Sequence, residues 1–411
     1  MNHIDENLSV TSPKGFSAAN CAAGIKYEGR DDMAMIFSKE PCVSAATYTR
    51  NVVKAAPVLF DKERTESSLP IHAVVINAGI ANACTGNEGF SICEKTADAA
   101  AEALKIDSSS VLVASTGVIG KQIPVDKITS GVTTLSLRLK NTPDAGVAAA
   151  KAIMTTDTKP KYCGIEVELS GGTVTIAGMA KGSGMIHPDM CTMLCFITTD
   201  ADIDKSLLQM ALSNAVDVSF NMISVDGDTS TNDTCVVLAN GLAGNKKIDS
   251  KDRDGDFVKF SEALKRVCIN LARRMAGDGE GATALFEVSV INAKSDFDAG
   301  ILAKSVITSS LTKAAIFGHD ANWGRILCAL GYSGVDFDPY KVDVSVLGNG
   351  KSLMLCKDGL ETDYSEEEAT EILSSEEVSV LCNMHSGGGA ATAYGCDLSY
   401  DYVKINADYR S

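Results

Sequence analysis

Residues 181–201 read KGSGMIHPDMCTMLCFITTDA, and Thr192 within them stands where a side-chain hydroxyl could become a nucleophile. The turn Gly182-Ser183-Gly184 and then Pro188 lead to Cys191-Thr192, and Met193 to Thr199 reads as a buried strand. Breaking the Cys191–Thr192 peptide bond would leave a hydroxyl and an amine on one residue. A free α-amino group titrates at about 7.7–8.0, so near neutral pH part of it is an unprotonated base beside that hydroxyl. This is the threonine form of N-terminal nucleophile catalysis. The plain reading of the same residues is a strand-edge threonine with its hydroxyl bonded locally.

Acyl transfer also needs donors for a developing oxyanion. Ser115-Thr116-Gly117 follow the apolar run Val111 to Ala114. A hydroxyl and a glycine amide at a strand end can converge on one oxygen, and losing one such donor costs about 2.7–4 kcal/mol of transition-state stabilisation. The alternative is an ordinary Ser/Thr-Gly turn. Lys181 could lower the pKa of a nearby α-ammonium and bind a substrate carboxylate, or it could be a solvated surface lysine. KGSG lacks the Gly-x4-Gly-Lys-Ser/Thr order of a phosphate loop. Glu280 sits between glycines in GDGEG, where backbone can approach a ligand closely. A carboxylate there could pair with an ammonium or relay a proton, or be a solvated loop acid. Thr155, in MTTDT at a helix end, reads first as a cap. Asp226, Asp228, Asn232 and Asp233 hint at calcium but lack the EF-hand spacing and its final glutamate, so they read as a turn-rich structural loop. Trp323 reads as a packing anchor or pocket wall.

These residues must be positioned by the elements between them. The first fifty residues read as loop-rich with short strands such as Met33 to Phe37, and Ala73 to Ile76 and Val111 to Ala114 as buried strands. Helices are predicted at Glu94 to Lys105, Val125 to Leu139, Asp144 to Met154, Ser206 to Val216, Phe257 to Met275 and Ala299 to Ile316. Hairpins are predicted around Ser170-Gly171-Gly172 and Gly348-Asn349-Gly350. Cys235 to Ala239 and Leu285 to Asn292 read as strands, and Val403 to Asn406 as a last one. Hairpins among helices favour mixed or antiparallel sheets, an α+β class, over a doubly wound parallel sheet.

The segment 181–201 resembles the processing site of the ornithine acetyltransferases, the bifunctional glutamate N-acetyltransferases of arginine biosynthesis. NAGIANACTG (Asn77 to Gly86), ASTGVIG (Ala114 to Gly120), MTTDT (Met154 to Thr158), SFNMISVDGDTSTNDT (Ser219 to Thr234), GDGEGAT (Gly277 to Thr283), GHDANWGR (Gly318 to Arg325) and the terminal YGCDLSYDYVKINADYRS match in order along nearly the whole chain. The resemblance implies self-cleavage before Thr192, giving fragments 1–191 and 192–411 that share one core in a layered α/β/β/α-type sandwich. It implies Thr192 as nucleophile, Thr116 and Gly117 as oxyanion donors, and Thr155, Lys181, Thr192, Glu280, Asn406 and Ser411 as substrate contacts. It also implies self-association of two copies of each fragment. Cys191 stands where the family usually has alanine, Asp189 where asparagine is common, and Ser411 where threonine is common. Asp189 adds a negative charge that could disfavour an oxyanion at the scissile carbonyl. A role for Ser411 requires that Val403 to Asn406 be tied into the sheet.

Composition bounds the rest. A chain of 411 residues with 45% hydrophobic content can build a large core. Net charge is −16, which argues against nucleic acid as a partner and suits attraction of a cationic side chain. The 13 cysteines form no Cys-x-x-Cys pair, and no secretory start or spanning apolar run is seen, so reduced thiols in the cytoplasm are expected. The five histidines make no zinc-like pair with cysteine, so no metal is expected. The expected activity is acetyl transfer from N2-acetylornithine to glutamate through an acetyl-threonine. It needs no organic cofactor, with acetyl-CoA as a second donor in some members. The competing readings are an N-terminal-threonine amidase or aminopeptidase, and an uncleaved amino-acid-binding protein.

Overall fold

The computed structural model describes residues 3–187, 193–251 and 255–407. Cys191, Thr192 and Ser411 therefore lie outside the described residues. The strands are β1 Phe16–Cys21, β2 Met33–Tyr48, β3 Ile71–Ile80, β4 Val111–Val118, β5 Lys161–Leu169, β6 Gly172–Lys181, β7 Leu194–Thr199, β8 Ile223–Ser224 and β9 Thr234–Ala239. They continue as β10 Leu285–Ala293, β11 Asp343–Gly348, β12 Lys351–Lys357, β13 Leu360–Glu361, β14 Glu377–Asn383 and β15 Gly389–Cys396. The helices are α1 Ala56–Glu66, α2 Gly86–Leu104, α3 Val125–Arg138, α4 Pro143–Ala152, α5 Lys205–Asp217, α6 Asp256–Gly277, α7 Asp296–Ile307, α8 Ser310–Phe317, α9 Trp323–Gly331, α10 Glu366–Leu373 and α11 Tyr400–Asn406.

Chain contacts divide the molecule into two compact units. The first comprises Met1–Gly182, Thr192–Asp217 and Thr229–Leu271; the second comprises Ser183–Cys191, Val218–Asp228 and Ala272–Ser411. In the first, one sheet runs β4-β3-β2-β9-β7-β6-β5, with β1 added on β2. Pairs β3/β4 and β7/β9 are parallel and the others antiparallel, as a mixed sheet requires. Both faces are buried. Ala18, Ala34, Ile36, Val74 and Ile76 pack with Ala149, Ala150 and Ile153 from α4 and its end. Their sequence neighbours Ala19, Met33, Met35, Ala73 and Val75 pack the other way, against Ile92 of α2 and Ile128, Val132 and Leu135 of α3. The period-2 alternation is therefore apolar on both faces, which is why β3 reads as a continuous apolar run.

The second unit holds a mixed sheet in the order β13-β12-β11-β14-β10-β15-β8. Along β10, β11 and β14 buried residues alternate with partly exposed ones, so one face carries most of that unit's core. α7 packs on β10 and β15, and α10 on β11 and β12. The α+β class with mixed sheets holds in both units.

The structure corrects several local expectations. Met33 opens a 16-residue strand rather than a short one in a loop-rich region. Its interior Lys39-Glu40-Pro41 sits at a register shift between Phe37 and Cys42, where proline's missing N–H costs no ladder bond. Ala299 to Ile316 is two helices, α7 and α8, because the Ser309 hydroxyl caps a new one by accepting from the Thr312 amide. Val403 to Asn406 is the end of helix α11, not a strand tied into the sheet. The Val403/Ile405 alternation imitates a strand, yet Asp401 in the first turn favours a helix start. Among the described residues no helix is long and apolar enough to cross a membrane, and the described cysteines are free thiols.

Candidate active site

The first group of expected site residues forms where β4, β6 and the end of α4 meet inside the first unit. β4 continues through Ser115, Thr116 and Gly117 instead of ending at Ala114. Gly117 pairs with Gly79 of β3 while Ile80 pairs with both Thr116 and Val118, an irregular register that puts a bulge at this point of the β3/β4 pair. Gly117 has φ +131°, and a Cβ there would lie 2.2–2.3 Å from the Gly79 carbonyl group, so no other residue fits. Around the bulge, Ser115 Oγ donates to Asn77 Oδ1 (2.6 Å), and Asn77 Nδ2 donates to the Ile80 carbonyl (3.0 Å). Asn232 Nδ2 donates to the Ala81 and Ser115 carbonyls (2.6 and 2.8 Å). The NAGIA, ASTG and STNDT motifs thus share one buried network that fixes the bulge.

Lys181 is the last residue of β6 and only 2% exposed, so it is not a solvated surface lysine. Its Nζ donates to Thr155 Oγ1 at 2.7 Å and Thr116 Oγ1 at 3.3 Å. A lysine ammonium only donates, whereas a hydroxyl both donates and accepts. Thr116 accepts from Lys181 and so keeps its own O–H for a further acceptor. Thr155 is likewise a ligand of Lys181 rather than a simple helix cap.

Asp157, not anticipated from sequence, organises these groups. Its carboxylate accepts from Lys161 Nζ (2.7 Å), the Gly182 amide (2.7 Å) and the Thr155 amide (3.0 Å), and lies 3.7 Å from Lys181 Nζ. Burial alone would push its pKa up, but Lys181, Lys161 and the Gly182 amide outweigh that and hold it well below the usual carboxylate range. The available signal was the acid in MTTDT four residues before Lys161. Asp233, read as part of a turn-rich loop, is fully buried, and its Oδ1 accepts the Met193 amide at 3.1 Å. Burial pushes its pKa well up, with the Met193 amide opposing. β6 and β7 pair through Lys181 and Leu194, so the chain between them spans the expected cleavage site.

The second group lies within the second unit. Glu280 is 7% exposed, so it is not a solvated loop acid. Its amide donates to the Ser183 carbonyl (2.9 Å), and its Oε2 accepts from Asn406 Nδ2 (2.8 Å). A Cβ on Gly184 would come within 2.3–2.7 Å of the Glu280 carboxylate, so the glycine of KGSG makes room for the acid. Gly281, with φ +71°, leaves room for the first turn of α11, which brings Asn406 to Glu280. Asp226 accepts the Met185, Ile186 and Asp228 amides (2.6, 2.9 and 3.2 Å). It therefore serves backbone amides, and no cluster of three or more metal-ligating side chains occurs among the described residues. Trp323 starts α9 half-buried, with Nε1 3.5 Å from Glu361.

Residues 17–411 match the ArgJ family. The arginine biosynthesis bifunctional protein ArgJ 1 of Clostridium acetobutylicum is 49% identical over 405 residues, covering 98% of this chain and 98% of its own. The arginine biosynthesis bifunctional protein ArgJ of Symbiobacterium thermophilum is 50% identical over 404 residues, again covering 98% of each. Among solved structures, the ArgJ bifunctional protein of Bacillus halodurans covers 52% of this chain and 97% of its own at 47% identity, with a TM-score of 0.49. Matched from residue 17 to the C-terminus and about half identical to relatives along their full length, the chain belongs to the ArgJ family.

Proposed function

We propose that the chain is a self-processing acetyltransferase of arginine biosynthesis that moves the acetyl group of N2-acetylornithine to glutamate. The observation that carries this reading is the buried Lys181 donating to both Thr116 and Thr155 on the strand that leads to the processing segment. Relatives named for a bifunctional role in arginine biosynthesis support it. Cleavage at Cys191–Thr192 would free the Thr192 amine, which takes the hydroxyl proton as Thr192 Oγ1 attacks the acetyl carbonyl. The Thr116 hydroxyl and Gly117 amide would hold the oxyanion, and ornithine leaves on reprotonation. The amine of glutamate then attacks the acetyl-threonine and leaves as N-acetylglutamate.

In this reading Lys181 and Thr155 bind the carboxylate end of the substrate, Glu280 the ornithine ammonium, and Asn406 aligns Glu280. Ser411 is a further substrate contact. Both substrates bring their own reacting groups, so no organic cofactor is needed, and acetyl-CoA serves as an alternative donor. The reading includes fragments 1–191 and 192–411, a layered α/β/β/α arrangement, a pair of each fragment per assembly, and a cytoplasmic location.

Intact-mass and N-terminal analysis followed by acetyl labelling with N-acetylornithine tests it. A chain that stays whole, or that hydrolyses the acetyl donor without passing the group to glutamate, counts against it. Thr116→Ala is expected to lower kcat by about 10²–10³-fold with KM for N-acetylornithine little changed. Glu280→Gln is expected to raise KM for N-acetylornithine about tenfold or more, because a charge-assisted hydrogen bond is lost; steady-state kinetics measures both.

A further inference from the structure

We infer that Arg30 is the specificity residue for the second carboxylate of the acyl acceptor, an inference that rests on the transfer reaction proposed above. Glutamate differs from ornithine at the site in carrying a side-chain anion where ornithine carries a cation. Glu280 cannot serve that anion, so a cation must be found elsewhere. A half-buried cation in a chain of net charge −16 can pair with one of its carboxylates, as Arg273 does with Glu287 and Glu377.

Arg30 does not. It is half-buried, and among the described residues no carboxylate pairs with it. Its Nη2 donates to the Met154 carbonyl at 2.6 Å, directly before Thr155. Its guanidinium stacks on the Tyr27 ring with Cζ 4.4 Å from the centroid. A guanidinium has five donors, so one bond to a carbonyl leaves a fork that suits a carboxylate. The stack holds the fork in place before a ligand arrives, which limits the entropy lost on binding.

The loop that presents it is itself pinned beside the Thr116–Lys181 group. The buried Asp32 carboxylate accepts the Ala23 and Ile25 amides (2.7 and 2.6 Å), and its carbonyl accepts the Ala78 amide (2.8 Å). Lys26 packs against Gly79, the partner of Gly117 in the bulge. Burial pushes the Tyr27 phenol up, with Arg30 opposing and Asp32 and Asp157 adding to it. Arg30 is thus bonded to the MTTDT segment that carries the proposed carboxylate contact, and its stacking partner Tyr27 and Lys26 sit against Gly79 of the bulge.

The test compares the two half-reactions in Arg30→Ala and Arg30→Lys. Acetyl labelling by N-acetylornithine is expected to proceed as in wild type, which also reports a folded site. KM for glutamate should rise about tenfold or more in Arg30→Ala, and the preference for glutamate over the neutral acceptor glutamine should collapse. Arg30→Lys should recover part of both. An unchanged glutamate KM, an unchanged glutamate-to-glutamine preference, or equal loss in both half-reactions overturns the assignment. A raised KM for acetyl-CoA with glutamate unaffected also overturns it, by giving the guanidinium to a phosphate. Absence of any transfer to glutamate by wild type removes the parent reaction and this inference together, whereas normal wild-type transfer with an indifferent Arg30→Ala removes this inference alone.

Discussion

Thr192→Ala is expected to yield one uncut chain of 43.1 kDa with no acetyl transfer. Wild type should instead run as two pieces of about 20 and 23 kDa, in proportion to the two sides of the Cys191–Thr192 bond. The effect is the largest available, because in the proposed mechanism one substitution removes both the attacking hydroxyl and the terminus that takes its proton. Without the hydroxyl there is no acyl shift to break the backbone, and without the break there is no free amine. Denaturing electrophoresis and a double-displacement assay read the two consequences separately. Thr192→Ser is the informative partner: it keeps a hydroxyl and should still cut. Normal transfer by Thr192→Ala would reject Thr192 as nucleophile. Cys191→Ala restores the family's usual residue before the cut and should leave the product of cleavage the same.

Asp157→Asn is expected to be the most damaging change away from the nucleophile. The Gly182 and Thr155 amides donate to different carboxylate oxygens, so an asparagine's single amide oxygen can keep one of them and not both, and it no longer balances Lys161 and Lys181, which are 1% and 2% exposed. Removing one partner of a buried ion pair costs about 3–5 kcal/mol, because the remaining charge is left in low dielectric. Denaturant unfolding should move to a clearly lower midpoint. The pH dependence has a definite sign. The folded-state pKa of Asp157 is depressed, so its contribution to stability is present above the unfolded value of about 3.9 and is lost as pH falls through the folded one. The gap between wild type and Asp157→Asn should therefore be constant at neutral pH and narrow on acidification below about 4. A gap independent of pH down to pH 2 would show that packing, not charge, is what the aspartate supplies.

Much of the local structure was legible in the sequence. The hairpin around Gly171, the helix from Phe257 and the strand after Met193 follow from periodicity and turn residues that act over a few positions. Thr116, Gly117, Lys181 and Glu280 stand out because unusual backbone or an unusual charge leaves glycines beside them. Asp157 did not stand out. An aspartate followed four residues later by a lysine looks like a surface pair, and nothing local reveals that β6 delivers a second lysine to the same carboxylate. Arg30 was missed for the same reason: its pairing with a carbonyl and a ring rather than a carboxylate, among the described residues, is a property of the packed molecule. The terminal Val403–Asn406 failed differently, because seven residues are too few for propensity to outvote the docking of Ser399 and Tyr402 on the Gly281 loop.

The sequence by itself determined the chemistry on offer: a threonine that scission would turn into its own base, a strand-end hydroxyl with a glycine amide, and the family to which the chain belongs. Tertiary structure decided which charges are buried, which are paired, and which guanidinium meets a carbonyl and a ring rather than a carboxylate among the described residues. The reason is physical. Side-chain type and turn geometry act over a handful of bonds, whereas the energy of a charge depends on every group that folding brings within a few ångströms of it.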